Sequence, residues 1–301
     1  MATVDSLFII HSALFIKFIM GTKTALITGA NSGLGLATAR ALAQRSFDLI
    51  LLCRSEQKGR DAQADIQKAN PAVTVDFFVA DLADLDSVRR AATQITAEYP
   101  KLDVLINNAG YTPARIEFVD SIEKSFYASH IGHFVLTNLL LDSLKKAGAD
   151  AGNPARVISL SSAAYLGGRA SRFFRKIDNL SPTFAYCDDK LANLLFAREL
   201  ARRTAGQGIV SYSVHPGAVR TNFAADTPGF LGKVFSLAGP LMRTPERGAE
   251  TTVFLASAPL KSIGERNNGG YFADSSPKNT RNRDVNDEKA AWLWEKTLPF
   301  V

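Results

Sequence analysis

Cysteine is scarce in this chain: its 301 residues include two, Cys53 and Cys187, far apart in the sequence. Two such thiols exclude the disulfide framework of a small secreted protein, and they lack the paired spacing of a zinc site. We therefore expect no metal centre. The low cysteine content also favours a reducing compartment, so the expected location is the cytoplasm.

The sequence also lacks a long uninterrupted apolar run. The best candidate, LFIIHSALFIKFIM at residues 7–20, is shorter than the roughly 20 apolar residues of a spanning helix, and Lys17 interrupts it. No basic residue precedes it, unlike the start of a secretory signal. Three interpretations of residues 1–20 stay open: a weak membrane anchor, a packed N-terminal extension, or residues upstream of the true start. The third is slightly favoured, because MGTKTALITGA from Met20 reads as the beginning of a domain covering residues 21–301.

Neither sign of charge dominates the chain. It has 35 Lys and Arg against 29 Asp and Glu, a formal net charge of +6. This excess is too small and too dispersed to indicate a nucleic-acid partner. It is compatible with a small anionic ligand such as a phosphorylated cofactor. The hydrophobic content of 46% over this length predicts a large buried core.

Apolar runs typical of strands alternate with helical patterns along the chain. We predict strands at residues 24–28, 48–53, 73–80, 103–107, 156–161, 209–214 and about 270–272, with helices between them, including a long one over about 121–146. Continuous apolar strands separated by helices indicate a parallel sheet covered on both faces. No linker or repeat interrupts the pattern. The predicted fold is therefore one doubly wound, Rossmann-type α/β domain with a mostly parallel seven-stranded sheet.

A glycine-rich turn, TGANSGLG at residues 28–35, follows the first strand and opens a helix. Gly29, Gly33 and Gly35 allow a tight turn and a close approach of the backbone to a pyrophosphate, which the helix N-terminus would then bind. An ordinary glycine turn is the alternative. Gly-Leu-Gly stands where a nucleotide-hydrolysing loop would have Gly-Lys-Ser/Thr, so nucleotide hydrolysis is disfavoured.

A tyrosine and a lysine stand four residues apart in FAYCDDKLANLLF (184–196). This spacing puts Tyr186 and Lys190 on one face of a helix, although an amphipathic helix often contains such a pair by chance. Three more motifs follow predicted strands: NNAG at 107–110, the serine pair at 161–162, and Pro-Gly at 216–217. The carboxyl ends of the strands are where such sheets bind ligands.

These five motifs, in this order and at these places, resemble the short-chain dehydrogenase/reductase family. The resemblance covers about residue 22 to the C-terminus, and within the family the chain is most similar to the retinol dehydrogenase group. SHIGHFVLTNLLL, SVHPGAVRT and GGYFAD contribute to that similarity. The resemblance implies an oxidoreductase that acts on CH–OH groups with a nicotinamide cofactor.

The second strand ends in Cys53-Arg54-Ser55, with no carboxylate at the strand end. An acidic side chain at this place would bind a free ribose 2′-hydroxyl, whereas a guanidinium can hold a 2′-phosphate. A surface arginine at the start of a helix is the alternative. We therefore expect NADP(H) in preference to NAD(H).

The resemblance implies further cofactor contacts along the chain. The glycine loop would enclose the pyrophosphate, Asp81-Leu82 would flank the adenine, NNAG would lie near the ribose, and the segment after strand six would meet the carboxamide. The implied set is Gly29, Asn31, Ser32, Gly33, Leu34, Gly35, Arg54, Asp81, Leu82, Asn107, Asn108, Ala109, Gly110, Tyr186, Lys190, Pro216, Gly217, Val219 and Thr221.

Reduction of a carbonyl requires a proton at the substrate oxygen. Tyr186 can deliver it, but a free tyrosine has a pKa of about 10, and we expect the Lys190 ammonium to lower that pKa toward working pH. A serine hydroxyl would orient the carbonyl. Between Ser161 and Ser162, the resemblance favours Ser162.

Two departures from the family pattern stand out. Ser129 occupies the place of the asparagine that commonly completes a proton relay through its backbone carbonyl in a distorted helix, so we include Ser129 among the catalytic candidates. Asp189 precedes the lysine where a small or hydroxylic residue is usual. We expect Asp188 and Asp189 near a helix start, where the dipole favours carboxylates, with substrate choice or subunit contact as the alternative.

The substrate side carries many apolar residues. The segment 165–182 contains Phe173 and Phe174, and the segment 222–242 has the place and composition of a substrate lid. A small packed helix is the alternative for the second segment. We expect a lipophilic aldehyde, ketone or alcohol as substrate, while retinoid specificity does not follow from the motifs. The expected pocket residues are Phe223, Phe230, Leu231, Phe235, Leu237 and Leu241.

Two other functions stay open. A non-catalytic NADP(H)-binding sensor or scaffold is compatible with Ser129, although intact Ser162, Tyr186 and Lys190 oppose it. A nucleotide-sugar epimerase is disfavoured, since that class spaces its glycines differently and has a larger C-terminal substrate region. The sequence does not fix the oligomeric state or the direction of the reaction.

Overall fold

The computed structural model describes residues 22–149, 153–219 and 242–301. The expected lid residues 223–241, Thr221 and the N-terminal segment 1–20 lie outside these residues. The strands are β1 (Thr24–Thr28), β2 (Asp48–Cys53), β3 (Val75–Val79), β4 (Val104–Asn107), β5 (Phe118–Val119), β6 (Ile122–Glu123), β7 (Ala155–Leu160), β8 (Ile209–His215), β9 (Tyr271–Ala273) and β10 (Ser276–Lys278).

The main sheet has the order β3-β2-β1-β4-β7-β8-β9-β10. Seven of these strands pair in parallel, and β10 pairs antiparallel with β9. The predicted doubly wound, mostly parallel sheet is confirmed, but the described residues give it eight strands, not seven. The additional strand, Ser-Pro-Lys, is exposed and has no apolar pattern, so periodicity could not reveal it.

Helices cover both faces of the sheet. They are α1 (Gly33–Ala43), α2 (Glu56–Ala69), α3 (Leu85–Glu98), α4 (Lys124–Phe126), α5 (His133–Leu139), α6 (Leu141–Ala147), α7 (Pro182–Arg203), α8 (Pro245–Ser257), α9 (Leu260–Ile263) and α10 (Asp287–Thr297). Consecutive strand residues face opposite cores: Leu26 packs with the side of α3, α5, α7 and α10, and Ile27 with the side of α1, α2 and α8. This two-sided burial explains the continuous apolar strands.

The strand order reverses between β1 and β4. From β1 the chain winds outward through β2 and β3, and from β4 it winds the other way through β7 and β8. The crevice beyond the carboxyl ends of β1 and β4 is where open α/β sheets bind their ligands. The glycine loop follows β1, and NNAG begins at the last residue of β4, so both motifs meet at this crevice.

The predicted long helix over 121–146 is wrong in its first part. Asp120 and Ser121 adopt left-handed backbone conformations, with φ of 48° and 66°, and close the β5–β6 hairpin. Such a pair suits the two-residue turn of a hairpin. The chain then passes through α4 and a π-helical turn, Tyr127–Gly132, before α5 and α6. The turn packs closely on the segment after β3, since a Cβ added to Gly132 would lie 2.3 Å from the Leu82 carbonyl oxygen.

Two substantial helices were not predicted. Helix α8 begins with Thr244 as N-cap and proline at its first position, and α10 begins with Asn286 as N-cap. Both starts carry the usual capping residues, which were a usable signal. Among the described residues, no helix combines the length and the apolar character needed to cross a bilayer.

Candidate active site

The glycine loop forms a cradle at the start of α1. Gly29 and Gly33 have positive φ values of 65° and 51°, and a Cβ on Gly35 would lie 2.3 Å from the Gly29 carbonyl oxygen. Ser32 caps α1 with extended backbone, but its side chain accepts no hydrogen bond there. The first amides of the helix are therefore not capped by Ser32, and they fit a pyrophosphate group.

A hydrogen-bond lock joins the two motifs at the crevice. Thr28 Oγ1 accepts from the backbone N–H groups of Asn108 and Ala109, both at 2.9 Å. Asn108 Nδ2 donates to the Thr28 carbonyl oxygen at 2.7 Å. The Asn107 side chain is buried and donates to Thr137 Oγ1 at 3.1 Å. Both asparagine side chains thus shape the loop, and Gly110 is the exposed part of NNAG.

The predicted adenosine side lies at the ends of β2 and β3. Arg54 is exposed directly after the buried Cys53. Asp81 follows β3, and its carboxylate accepts from the backbone N–H of Ala83 at 2.9 Å. Leu82 is buried against Gly132. Because β2 and β3 pair in parallel up to Cys53 and Val79, Arg54, Asp81 and Leu82 follow neighbouring strand ends.

The segment after β8 approaches the glycine loop. Gly217 has a φ of 85°, and Val219 pairs with Arg243 in a parallel bridge. A Cβ added to Gly248 of α8 would lie 2.5 Å from Val219 Cγ2 and 3.1 Å from Leu34 Cδ1. Helix α8 therefore brings the predicted contacts Leu34 and Val219 to one place.

Tyr186 and Ser162 meet at the carboxyl end of β7. The Ser162 side chain hydrogen bonds to the Tyr186 phenol. Lys190 Nζ lies 5.3 Å from the Tyr186 ring centroid and donates to the Leu160 carbonyl oxygen at 3.3 Å. Ser161 Oγ instead donates to the Lys190 carbonyl oxygen at 2.7 Å. Ser162 thus faces the tyrosine, whereas Ser161 ties β7 to α7.

Burial is the main cause of the pKa shifts of Tyr186 and Lys190. It raises the pKa of Tyr186, and the hydrogen bond from Ser162 opposes this only in part. Burial also lowers the pKa of Lys190. Desolvation of both charged forms dominates these shifts, so the expectation that Lys190 lowers the tyrosine pKa toward working pH stays a prediction. Tyr186 holds its proton at neutral pH, which is the form that a proton donor needs.

Ser129 lies in the π-helical turn, the distorted helix that the resemblance implied. A Cβ on Gly110 would lie 3.2 Å from Lys190 Nζ and 3.5 Å from Ser129 Oγ, so the three residues converge. The Ser129 hydroxyl is buried without a hydrogen-bond partner in the described part of the chain. The Ser129 carbonyl oxygen lies 2.9 Å from His133 Nδ1. Sequence reasoning missed His133, which shows no catalytic spacing.

Asp188 and Asp189 do not lie at a helix start as expected. Helix α7 begins at Pro182, so both stand in its second turn, and both are buried. Asp188 accepts from Arg172 Nε at 2.7 Å and Nη2 at 2.5 Å, and from the Arg169 N–H at 2.8 Å. This ion pair ties the segment 165–182 to α7.

Asp189 is fully buried beside Glu123 and Ser125, and no ion pair among the described residues involves it. Burial, followed by the charge of Glu123, raises its pKa well above the usual value. Ser125 Oγ already donates to Glu123 Oε2 at 2.6 Å. Burial therefore favours the neutral form of Asp189 next to Lys190.

Phe173 and Phe174 belong to the core more than to an open pocket. Phe173 is buried, and the two rings pack on Phe126 with centroids 5.0 and 5.4 Å away. Leu166 and Phe184 are instead 54% and 49% exposed, close in sequence to Ser162 and Tyr186. They are two of the exposed large apolar side chains among the described residues, and Tyr111, directly after NNAG, is another.

Comparison with known proteins assigns the class. Residues 23–229 match the family model described as short chain dehydrogenase. The chain therefore belongs to the short-chain dehydrogenase family, whose members are oxidoreductases that bind a nicotinamide cofactor.

Particular relatives share most of the chain. Retinol dehydrogenase 12 of Bos taurus is 39% identical over 285 residues, which cover 93% of this chain and 86% of that protein. Dehydrogenase/reductase SDR family member 13 of Homo sapiens is 37% identical over 280 residues, covering 91% of this chain and 71% of that protein.

The fold also has solved counterparts. L-sorbose reductase from Gluconobacter frateurii, solved with NADPH and L-sorbose, is similar with a TM-score of 0.65 at 21% identity. The similarity covers 86% of this chain and 98% of that chain. At this identity the match establishes the shared fold.

Asp189→Asn should stabilise the chain at neutral pH. The pKa of Asp189 is raised in the folded state above its unfolded value, so ionisation opposes folding as the pH rises above about 4. Removing the titration should increase the free energy of unfolding near pH 7. The gain should vanish below about pH 4, where the carboxyl is protonated in both states. Urea unfolding at several pH values measures this.

Asp188→Asn is the matched control. It leaves Arg172 without its buried carboxylate and should destabilise the chain at neutral pH. Equal destabilisation by both variants would contradict a neutral Asp189.

Proposed function

We propose that this chain is an NADP(H)-dependent oxidoreductase that interconverts a lipophilic aldehyde or ketone and its alcohol. The observation that carries the proposal is the hydrogen bond between Ser162 and the proton-bearing Tyr186, with Lys190 on the same helix and all three beside the β1–β4 crevice. This is the arrangement that reduction of a carbonyl requires: a donor for the oxygen and a group to orient it.

Each residue has a chemical role in the proposed reduction. Ser162 donates a hydrogen bond to the substrate carbonyl oxygen and orients it. The reduced nicotinamide cofactor, when bound, supplies the hydride that adds to the carbonyl carbon. Tyr186 gives its phenolic proton to the same oxygen, which completes the alcohol. Lys190 stabilises the resulting phenolate and would hydrogen bond the ribose of a bound cofactor. The phenolate regains a proton from solvent through the polar groups around Lys190 and Ser129.

The residues present fit the nicotinamide cofactor. The cradle at Gly29–Gly35 suits its pyrophosphate, and Val219 and Leu34 converge near the crevice. Arg54 is exposed at the strand end where the ribose 2′ position would lie, and none of the ion pairs in the described ranges involves it. A guanidinium available in this way supports NADP(H) over NAD(H).

Two observations support a lipophilic substrate. Leu166 and Phe184 expose apolar surface close in sequence to Ser162 and Tyr186. The relatives that cover most of the chain include proteins named retinol dehydrogenase. The substrate class therefore follows from this apolar surface together with kinship, and the individual substrate stays open.

A non-catalytic NADP(H)-binding protein is the second candidate. Its support is Ser129, whose buried hydroxyl lacks a hydrogen-bond partner among the described residues, at the place of the relay asparagine. The intact Ser162–Tyr186 hydrogen bond favours the enzyme, because a pure binding protein has no need of it.

Tyr186→Phe should abolish most activity and leave NADPH binding intact. The change removes one oxygen and keeps the ring, so turnover should fall by roughly two or more orders of magnitude, the scale of a lost general acid. Single-turnover reduction of a lipophilic aldehyde at saturating NADPH measures this. Tyr212→Phe is the control, since it removes a buried tyrosine hydroxyl without a partner in the described ranges. Near-parental rates for Tyr186→Phe would make the tyrosine a packing residue.

Arg54→Ala should weaken NADPH far more than NADH. Loss of a charge-assisted phosphate contact costs roughly 1.5–3 kcal/mol. Titration calorimetry with both cofactors measures the difference. Arg60→Ala is the control, because Arg60 is another exposed arginine nearby that pairs with Glu56 and stacks on Phe77. Equal weakening of both cofactors by Arg54→Ala would remove the phosphate assignment.

Ser129→Asn should raise turnover or leave it unchanged. An amide at this position restores the usual relay side chain in a turn whose backbone carbonyl is already placed. Steady-state kinetics with a folded variant measures this. A large loss of turnover would show that the site has adapted to serine and that our account of this departure is wrong.

A further inference from the structure

His133 is a buried side chain with two short contacts, one on each ring nitrogen. It is 2% exposed and opens α5 directly after the π-helical turn. Its Nδ1 lies 2.9 Å from the Ser129 carbonyl oxygen, and its Nε2 lies 2.8 Å from Thr28 Oγ1. One ring therefore connects Thr28, where the glycine loop begins, with the π-helical turn that carries Ser129.

The partners fix where the ring proton sits. A carbonyl oxygen can only accept, so Nδ1 must carry the hydrogen that it donates to Ser129. Thr28 Oγ1 accepts from the N–H groups of Asn108 and Ala109, which occupy its two lone pairs. Its own hydrogen then points to Nε2, which is a shorter contact than the 3.4 Å to the Ile106 carbonyl oxygen. The neutral Nδ1–H tautomer satisfies every group.

The surroundings keep this tautomer neutral. Burial is the main cause that lowers the pKa of His133 to about 4, and the charge of Lys190 on α7 acts in the same direction. The hydrogen bond to the Ser129 carbonyl opposes this shift. His130, on the preceding turn, is also buried, and its pKa is lowered to about 3. At neutral pH the ring is thus a fixed, uncharged link.

We propose that His133 is a positioning residue that couples the glycine loop to the relay carbonyl of Ser129. The link runs from the Asn108 and Ala109 amides to the Thr28 hydroxyl, then through the imidazole to the Ser129 oxygen. All of its hydrogen bonds point the same way, so each strengthens the next. The relay position acts through its peptide carbonyl, which Ser129 retains, and His133 holds this carbonyl in place.

This inference rests on the proposed function. Its test uses variants that remove the two hydrogen bonds of the imidazole, to Thr28 and to Ser129, separately. His133→Asn keeps a donor for the carbonyl four residues earlier, as Asn138 Nδ2 already does toward Phe134 at 2.8 Å. It cannot reach Thr28. His133→Gln places an acceptor at the position of Nε2 but removes the Nδ1 donor. His133→Leu removes both hydrogen bonds.

In folded variants, the dissociation constant of NADPH reports the contact with Thr28, and kcat reports the contact with Ser129. We expect His133→Asn to weaken NADPH roughly 3- to 10-fold, the scale of one hydrogen bond, with little loss of kcat. We expect His133→Gln to bind NADPH normally and to lose kcat by a similar factor, with a shifted pH–rate profile. Equal loss of both constants in both variants, or no loss in His133→Leu, would overturn the positioning role.

A measurement on the parental chain does not depend on activity. Nitrogen-15 spectra of the histidine side chains should show His133 as the Nδ1–H tautomer, uncharged from pH 8 to about pH 5. An Nε2–H tautomer, or titration near pH 6.5, would overturn the link. Absence of turnover with every aldehyde would contradict the proposed function and leave this readout and the NADPH affinities standing.

Discussion

The site depends on the hydrogen bonds of the Thr28 hydroxyl. This hydroxyl accepts two amides of the NNAG turn and so ties the end of β1 to the end of β4, where the strand order reverses. That closure brings the glycine loop and the NNAG turn together at the crevice. Gly35 has no room for a side chain because the loop is drawn in this closely. Through His133 the same hydroxyl also reaches the π-helical turn.

Desolvation governs the chemistry of the groups around this contact. Burial raises the pKa of Tyr186, lowers that of Lys190, and raises that of Asp189, which favours its neutral form. A neutral phenol beside a serine is ready to donate a proton, and a neutral Asp189 places no negative charge next to the lysine. In its neutral form, the aspartate that replaces a small residue therefore adds no negative charge to the site. The two departures both lie near Lys190: Asp189 precedes it on α7, and Ser129 Oγ and Lys190 Nζ both lie beside Gly110.

Much of this arrangement was predictable from the sequence. The strands alternate their apolar residues between two cores, so their positions follow from periodicity, and the motifs follow strand ends that parallel pairing brings together. Ser162 was preferred over Ser161 by resemblance, and the structure turns Ser162 toward Tyr186. The roles of the site residues stay predictions until they are measured.

Other features depend on contacts between distant parts of the chain. The β5–β6 hairpin needs left-handed Asp120 and Ser121, and helical periodicity hid it. Asp188 was expected at a helix start, but Arg172, sixteen residues earlier, holds it in the interior. His133 is an ordinary residue by spacing, and its two partners lie on β1 and on the preceding turn. Such contacts form only when distant segments pack together, so local sequence patterns do not predict them.

The most direct test of the central claim is an isotope-effect measurement on a single turnover. The chain is mixed with NADPH that carries deuterium on the transferred position, and a lipophilic aldehyde is added in water or in deuterium oxide. The account predicts that the aldehyde is reduced and that both substitutions slow the reaction, because hydride and the Tyr186 proton move in the same step. Tight binding of NADPH without oxidation by any aldehyde or ketone tested would contradict it and identify a binding protein.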